Sequence, residues 1–116
     1  MKIEIATDKV NAGMVLRLKG QVDMNTSSDV RCCLADVFRQ GVPGFKALFI
    51  DLSQVPYMDS SGIATLIEAM QNCVKSGIRL RLVDLSPQVR DVFELARLSQ
   101  VFEIYPNLAE ASLGIE

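Results

Sequence analysis

Apolar residues recur along this chain in two rhythms, and each change of rhythm marks an element. Near the start KIEIAT alternates weakly and MVLRLKG strictly, with Val15, Arg17 and Lys19 opposite Met14, Leu16 and Leu18. Period two over such short runs predicts strands, and DKVNAG between them predicts a turn, so the chain opens with a hairpin. In NTSSDVRCCLADVFRQG the rhythm becomes helical: Val30, Cys33, Leu34, Val37 and Phe38 share a face, hydroxyl and amide side chains ahead offer an N-cap, and Gly41 offers a stop. The next run, KALFIDL, is almost wholly apolar, the pattern of a central strand covered on both faces, and carries Asp51 at its end.

The second half repeats the alternation of strand and helix. Ile63, Leu66, Ile67, Met70 and Val74 fall at helical spacing with Gly77 as a left-handed stop. IRLRLVD then predicts a strand whose Arg79 and Arg81 share one face, read as an exposed edge or as helix-covering stems rather than as an anion site. SPQVRDVFELARL predicts a helix with Ser86 as N-cap, Pro87 at its first position, and Val89, Val92, Phe93 and Ala96 inward. VFEIY predicts a short strand and NLAEASL a short helix, with Asn107 and Glu110 spaced as a capping box. The order β-β-α-β-α-β-α-β-α predicts an α/β fold: one domain over residues 1–116, with a mixed, mostly parallel sheet opened by an N-terminal hairpin and about four helices.

Composition narrows the function classes. A chain of 116 residues, 49% hydrophobic with few aromatics, suits a single aliphatic core. Its net charge of −2 provides no basic field for phosphates, so no nucleic acid is expected as a partner. No apolar run is long enough for a membrane span and no signal-peptide pattern follows Met1, which predicts a cytoplasmic protein without direct membrane insertion. Cys32, Cys33 and Cys73 lack CxxC spacing, which argues against a zinc site or a disulfide framework. The absence of histidine removes Ser-His-Asp and Cys-His mechanisms, and GxSxG, GxGxxG and GxxxxGK[ST] are all missing. A phosphoaspartyl site at Asp51 would need an acidic cluster at the end of the first strand, where the chain offers only Asp8, past the strand. Neither a cofactor, a metal nor an enzyme activity is expected.

What remains is VPYMDSSGIATLIEAM, residues 55–70. A strand ending at Leu52 and a helix starting near Ser60 put Asp59-Ser60-Ser61-Gly62 at the carboxyl-end side of the sheet, where α/β ligand sites gather. One cap needs one hydroxyl, so either Ser60 or Ser61 caps the helix and the other is left free. Gly62 costs helix stability while leaving the backbone bare for close approach. Phosphorylation of the free hydroxyl would add about −1.5 to −2 charges where the helix dipole tolerates an anion. A partner docked over the loop would meet that charge, so phosphate would act as a release signal.

Two segments carry a family resemblance. LKGQVDMNTSSDV resembles the L-x-G-x-[VL]-D-x-x-[TN] segment, and IDLSQVPYMDSSGIATLI the D-L-[SE]-x-[VL]-x-[FY]-[MI]-D-S-[ST]-G-[LI] segment, of the STAS-domain family, specifically of the stand-alone bacterial anti-sigma factor antagonists. The likeness extends through VDLSPQVRDVFELARL. It implies a STAS fold and a partner-switching cycle. The unmodified protein binds an anti-sigma factor that is also a serine kinase of the histidine-kinase-like ATPase fold, and so frees a sigma factor. The kinase phosphorylates the hydroxyl directly before the motif glycine, here Ser61, which leaves Ser60 as its neighbour and cap, and a PP2C-type phosphatase reverses the step. Asp23, Met24, Asn25, Met58, Asp59, Ser60 and Gly62 are then the residues of partner binding and loop support, with a monomer as the expected state.

Each residue also has a plainer reading. Asp23 either hydrogen-bonds the loop that holds Ser61 or pairs with backbone N–H groups ahead of the first helix. Asp59 reads as a cap of the turn rather than a base. Met24 and Met58 form an adaptable apolar contact or fill the core. Two other functions stay open: a subunit of a larger assembly, such as a lipid-transport ATPase complex or a stressosome-like scaffold, without a phosphorylation cycle; and a small-molecule or catalytic site built on Asp23 and Asp59.

Overall fold

Side-chain alternation across the pleat decides how this sheet is covered. The structure is a computed structural model that describes residues 3–10, 13–40 and 45–115. Five strands, β1 (Glu4–Val10), β2 (Gly13–Lys19), β3 (Ala47–Gln54), β4 (Arg79–Val83) and β5 (Glu103–Tyr105), lie side by side in chain order. The β1–β2 pair is antiparallel and the other pairs are parallel, as βαβ crossovers require. Helices α1 (Ser27–Gln40), α2 (Ser60–Ser76), α3 (Pro87–Leu95) and α4 (Leu108–Ala111) follow β2, β3, β4 and β5, with a single 3₁₀ turn at Leu98–Gln100. The predicted order therefore stands.

The hairpin is longer than the expected turn allowed. Asp8, Lys9 and Val10 pair with Val15, Met14 and Gly13 in β2, so β1 runs through half of the DKVNAG segment. The rest of that turn, Asn11 and Ala12, lies outside the described residues, as does Gly41, the expected stop of α1. β3 likewise continues past Leu52 to Gln54.

β3 shows the two-sided burial its apolar run predicts. Leu48, Ile50 and Leu52 enter the main core with Leu16, Leu18, Leu80 and Leu82, under α1, α2 and α3. Ala47 and Phe49 point the other way, into a smaller cluster with Val15, Val83 and Ala111 of α4. Val15 is thus buried although its pleat-mates Arg17 and Lys19 are exposed, because α4 covers only that part of the face.

Three sequence-based expectations are corrected by packing. On α2, Leu66 is buried and Ile63, Ile67 and Met70 pack half-buried on the core beside Gly62, Thr65, Ala69 and Cys73, but Val74 is 75% exposed. Ala96 is exposed because α3 ends at Leu95 and Ala96 is its C-cap. Finally, β4 is no edge, since β5 pairs along it. Arg81 is buried there: its Nη1 donates to the carbonyls of Ala111 and Leu113 at 2.6 and 2.9 Å, and its guanidinium lies 4.9 Å above the Tyr105 ring. It is a helix-covering stem that fastens α4 to the sheet. Arg79 stays exposed and shares Glu103 with Arg81, and its hydrogen bond holds the Glu103 carboxyl below the usual range, aided by the charges of both arginines. Ser86 and Asn107 cap their helices as expected, although the Glu110 carboxylate accepts from the Asn107 side-chain amide rather than from its backbone.

Candidate functional site

β2 and β3 are parallel neighbours, so the loops that leave their carboxyl ends, residues 20–26 and 55–59, emerge side by side. Backbone hydrogen bonds stitch them together. Gly20 N donates to Gln54 O at 3.1 Å, Val22 N to Tyr57 O at 3.0 Å, and Asp59 N to Val22 O at 3.2 Å, which makes Val22 and Met58 an isolated parallel bridge beyond the sheet. The second loop is also held at its start, where Ser86 Oγ donates to Val55 O at 2.6 Å. A loop anchored at both ends sets the start of α2 in a fixed place.

At that start Asp59, in extended backbone conformation, is the N-cap. Its Oδ1 accepts from Ser61 N at 2.9 Å, Gly62 N at 3.3 Å and Ser61 Oγ at 2.6 Å. The Ser61 hydroxyl therefore holds the Asp59 carboxyl below its ordinary range, with further help from the backbone N–H groups of Gly62, Ser61 and Met24 and against partial desolvation. Ser60, expected as the cap, is instead the exposed first residue of α2. A carboxylate satisfies the positive end of a helix better than a hydroxyl, and Asp59 stands where its oxygen reaches the second and third N–H groups. Ser61 is half-buried, with its hydroxyl already oriented.

Gly62 is required by its own chain. An added Cβ would stand 2.6 Å from Met58 Cγ, 2.8 Å from Val22 O and 2.9 Å from Val22 Cγ1. The bare backbone thus admits the Val22–Met58 bridge against the first turn of α2. Met58 itself is buried in the main core, while Met24 is 80% exposed, so the two methionines do not form one surface. Tyr57, which the sequence reading did not single out, is 48% exposed beside them.

Asp23 serves its own loop. Its Oδ1 accepts from Asn25 N at 2.9 Å, its N–H donates to Thr26 Oγ1 at 3.0 Å, and its carbonyl accepts from Ser27 N at 2.8 Å. Of its two readings, the one ahead of α1 describes these bonds. Asn25 is exposed. Asp23 and Asp59 each give one carboxylate oxygen to N–H groups of their own loop or helix start.

Beyond the first turn, α2 meets α1 through Arg31. Its Nε donates to Glu68 Oε2 at 2.8 Å and its Nη2 to Thr65 Oγ1 at 3.3 Å, and Thr65 Oγ1 donates to Ser61 O at 2.9 Å. No local spacing could have flagged this contact, because it joins residues 34 and 37 apart in the chain.

The fold and the stitched loops define a small α/β domain that presents a capped helix start at the carboxyl end of a mixed sheet. Residues 3–111 match the model of the STAS domain, and the chain belongs to that family. It is 32% identical over 87 residues to the anti-sigma-B factor antagonist of Listeria monocytogenes, spanning 73% of this chain and 72% of that one. An anti-sigma factor antagonist from Mycobacterium paratuberculosis superposes with a TM-score of 0.84 at 26% identity, covering 97% of this chain and 93% of that one. The phosphorylated form of the Bacillus cell fate determinant SpoIIAA shares the fold, with a TM-score of 0.70 at 22% identity over 93% of this chain and 96% of that one.

Proposed function

We propose that this protein is an anti-sigma factor antagonist, a regulatory binding protein of the cytoplasm and not an enzyme, whose unmodified form binds an anti-sigma factor and is released by phosphorylation of Ser61. The observation that carries this reading is the Ser61 hydroxyl held 2.6 Å from Asp59 on the first turn of a helix whose loop is anchored at both ends. The names of the relatives and the phosphorylated SpoIIAA structure support it.

Ser61 Oγ attacks the γ-phosphorus of ATP held by a kinase of the histidine-kinase-like ATPase fold. The bond to the β–γ bridging oxygen breaks, ADP leaves, and the hydroxyl proton passes to a base on the kinase. Asp59 is a poor base because its proton affinity is lowered. It acts by orientation, taking the hydroxyl hydrogen and so turning the Oγ lone pairs outward. Before modification, a partner over the loop meets the exposed Met24 and Tyr57. Afterwards it meets about −1.5 to −2 charges at Ser61, and the contact is lost. A PP2C-type phosphatase would restore the binding form.

Phosphopeptide mass spectrometry on the protein from its native host, with co-purifying proteins identified in the same sample, tests the reading. The expected result is phosphate on Ser61 and recovery of an ATPase-fold anti-sigma factor. An unmodified Ser61 with stoichiometric transporter or scaffold subunits would overturn it.

A further inference from the structure

Ser61, Thr65 and Glu68 form one stripe of α2 at spacings of four and three, and that stripe faces α1. Among the described residues, Arg31 is the cation recorded on it. Its guanidinium spans Glu68 Oε2 and Thr65 Oγ1, and Thr65 Oγ1 is itself bonded to the carbonyl of Ser61. We infer that Arg31 is the internal acceptor of a phosphoryl group on Ser61: on modification its guanidinium leaves Glu68, moves one turn toward the start of α2 and pairs with the phosphate. This rests on the reading of Ser61 as the modified residue.

Charge and geometry both favour the exchange. The ion pair with Glu68 is half-exposed on both sides, a weakly held arrangement. A phosphoserine carries up to twice the charge of a carboxylate and takes the guanidinium through two parallel hydrogen bonds. Modification also removes the proton that Ser61 Oγ shares with Asp59, so the two like charges repel and the phosphate turns away from the cap, along the stripe toward Thr65 and Arg31. The ionisable groups around it are then Asp59 ahead, Asp23 in the bridged loop, Glu68 two turns on and Arg31 across on α1. Release of Glu68 extends the electrostatic change from the first turn of α2 to its third. A partner lying along the helix is thus repelled over a longer contact than one phosphate alone would give.

The test uses the full chain with phosphoserine encoded at position 61, so that occupancy does not depend on any kinase. Titration by ³¹P NMR gives the second phosphate pKa, which lies near 6 for a free phosphoserine. A neighbouring guanidinium favours the dianion, so R31Q is expected to raise that pKa by about half a unit to one unit. R31K should recover part of the shift, and R39Q, on the same helix but paired with Asp36, should leave it unchanged. The Arg31 Nε–H resonance should move in the phosphorylated chain and not in a Ser61→Ala control. Equal pKa values for R31Q and the unsubstituted chain would overturn the role of Arg31 while leaving the phosphorylation switch intact. An unphosphorylated Ser61 in the native host would remove the switch without altering this measurement.

Discussion

Val22 and Met58, separated by 36 positions in the chain, form a two-residue parallel bridge beyond the end of the sheet, and Gly62 is the residue that lets α2 pack against it. The helix start is placed by this contact, so its sensitivity can be stated.

Gly62→Ala is expected to destabilise the fold by about 1–3 kcal/mol, because the new methyl group collides with a backbone carbonyl as well as with two side chains. Alanine would otherwise favour the helix, so a stabilised variant in urea titration would refute the close-packing account.

Asp59 should leave a signature in the acid limb of stability. Its carboxyl is held below the ordinary range in the folded chain, so its contribution is fully present above the unfolded value near 4 and fades as pH falls through the folded value. The stability difference between the unsubstituted chain and D59A should be steady from pH 7 to about 5 and narrow below about 4. A difference that persists undiminished to about pH 2 would contradict this.

At Ser61 the two simple substitutions should part company. Ser61→Ala removes the modifiable hydroxyl and adds no charge, so anti-sigma factor binding should persist and respond no longer to kinase and ATP. Ser61→Asp supplies one negative charge on a shorter arm, and calorimetry should find binding weakened, though less than by phosphoserine. Equal affinities for both would remove electrostatic release as the mechanism.

Arg81→Met keeps the buried stem but deprives the carbonyls of Ala111 and Leu113 of their donor. The cost is expected at about 1–3 kcal/mol, with faster amide exchange concentrated in α4. Uniform exchange throughout the chain would show that Arg81 does not act locally.

The three thiols should react in order of exposure. Cys32 is exposed, Cys33 is half-buried with its thiol pushed up by desolvation and then by Asp36, and Cys73 is buried with its thiol pushed up to about 12. Because the thiolate is the nucleophile, iodoacetamide at pH 8 should modify Cys32 first and Cys73 only after unfolding. Early labelling of Cys73 would contradict its place on the buried face of α2.

Much of this architecture is legible in linear form, and the failures share a cause. The alternation in β2, the apolar run of β3, and Ser86-Pro87 are local signals, and each stands in the structure. On α2 the helical spacing stands for Ile63, Leu66, Ile67 and Met70, which pack on the core, but it does not show that Gly62, Ala69 and Cys73 are buried as well or that Val74 is exposed. Gly62 faces the Val22–Met58 bridge, a contact that no spacing pattern contains. Of the two readings of Arg81, the helix-covering stem stands and the edge does not, because β5 and α4, which bury it, are themselves short and weak signals. In the site, Asp59, Ser61 and Gly62 were visible as a motif. That Asp59 rather than Ser60 is the cap depends on backbone angles a spacing pattern does not contain, and the Arg31 contact depends on how α1 lies against α2.

The strand order has a consequence for how the protein is made. Since β1 to β5 stand in the sheet as they stand in the chain, each strand leaving the ribosome finds its neighbour already translated, and none must be inserted between two that have paired. Val22 waits only until Tyr57 and Met58 have followed it out, so the bridge beside Ser61 can form before Ser86, which holds the other end of that loop, has emerged.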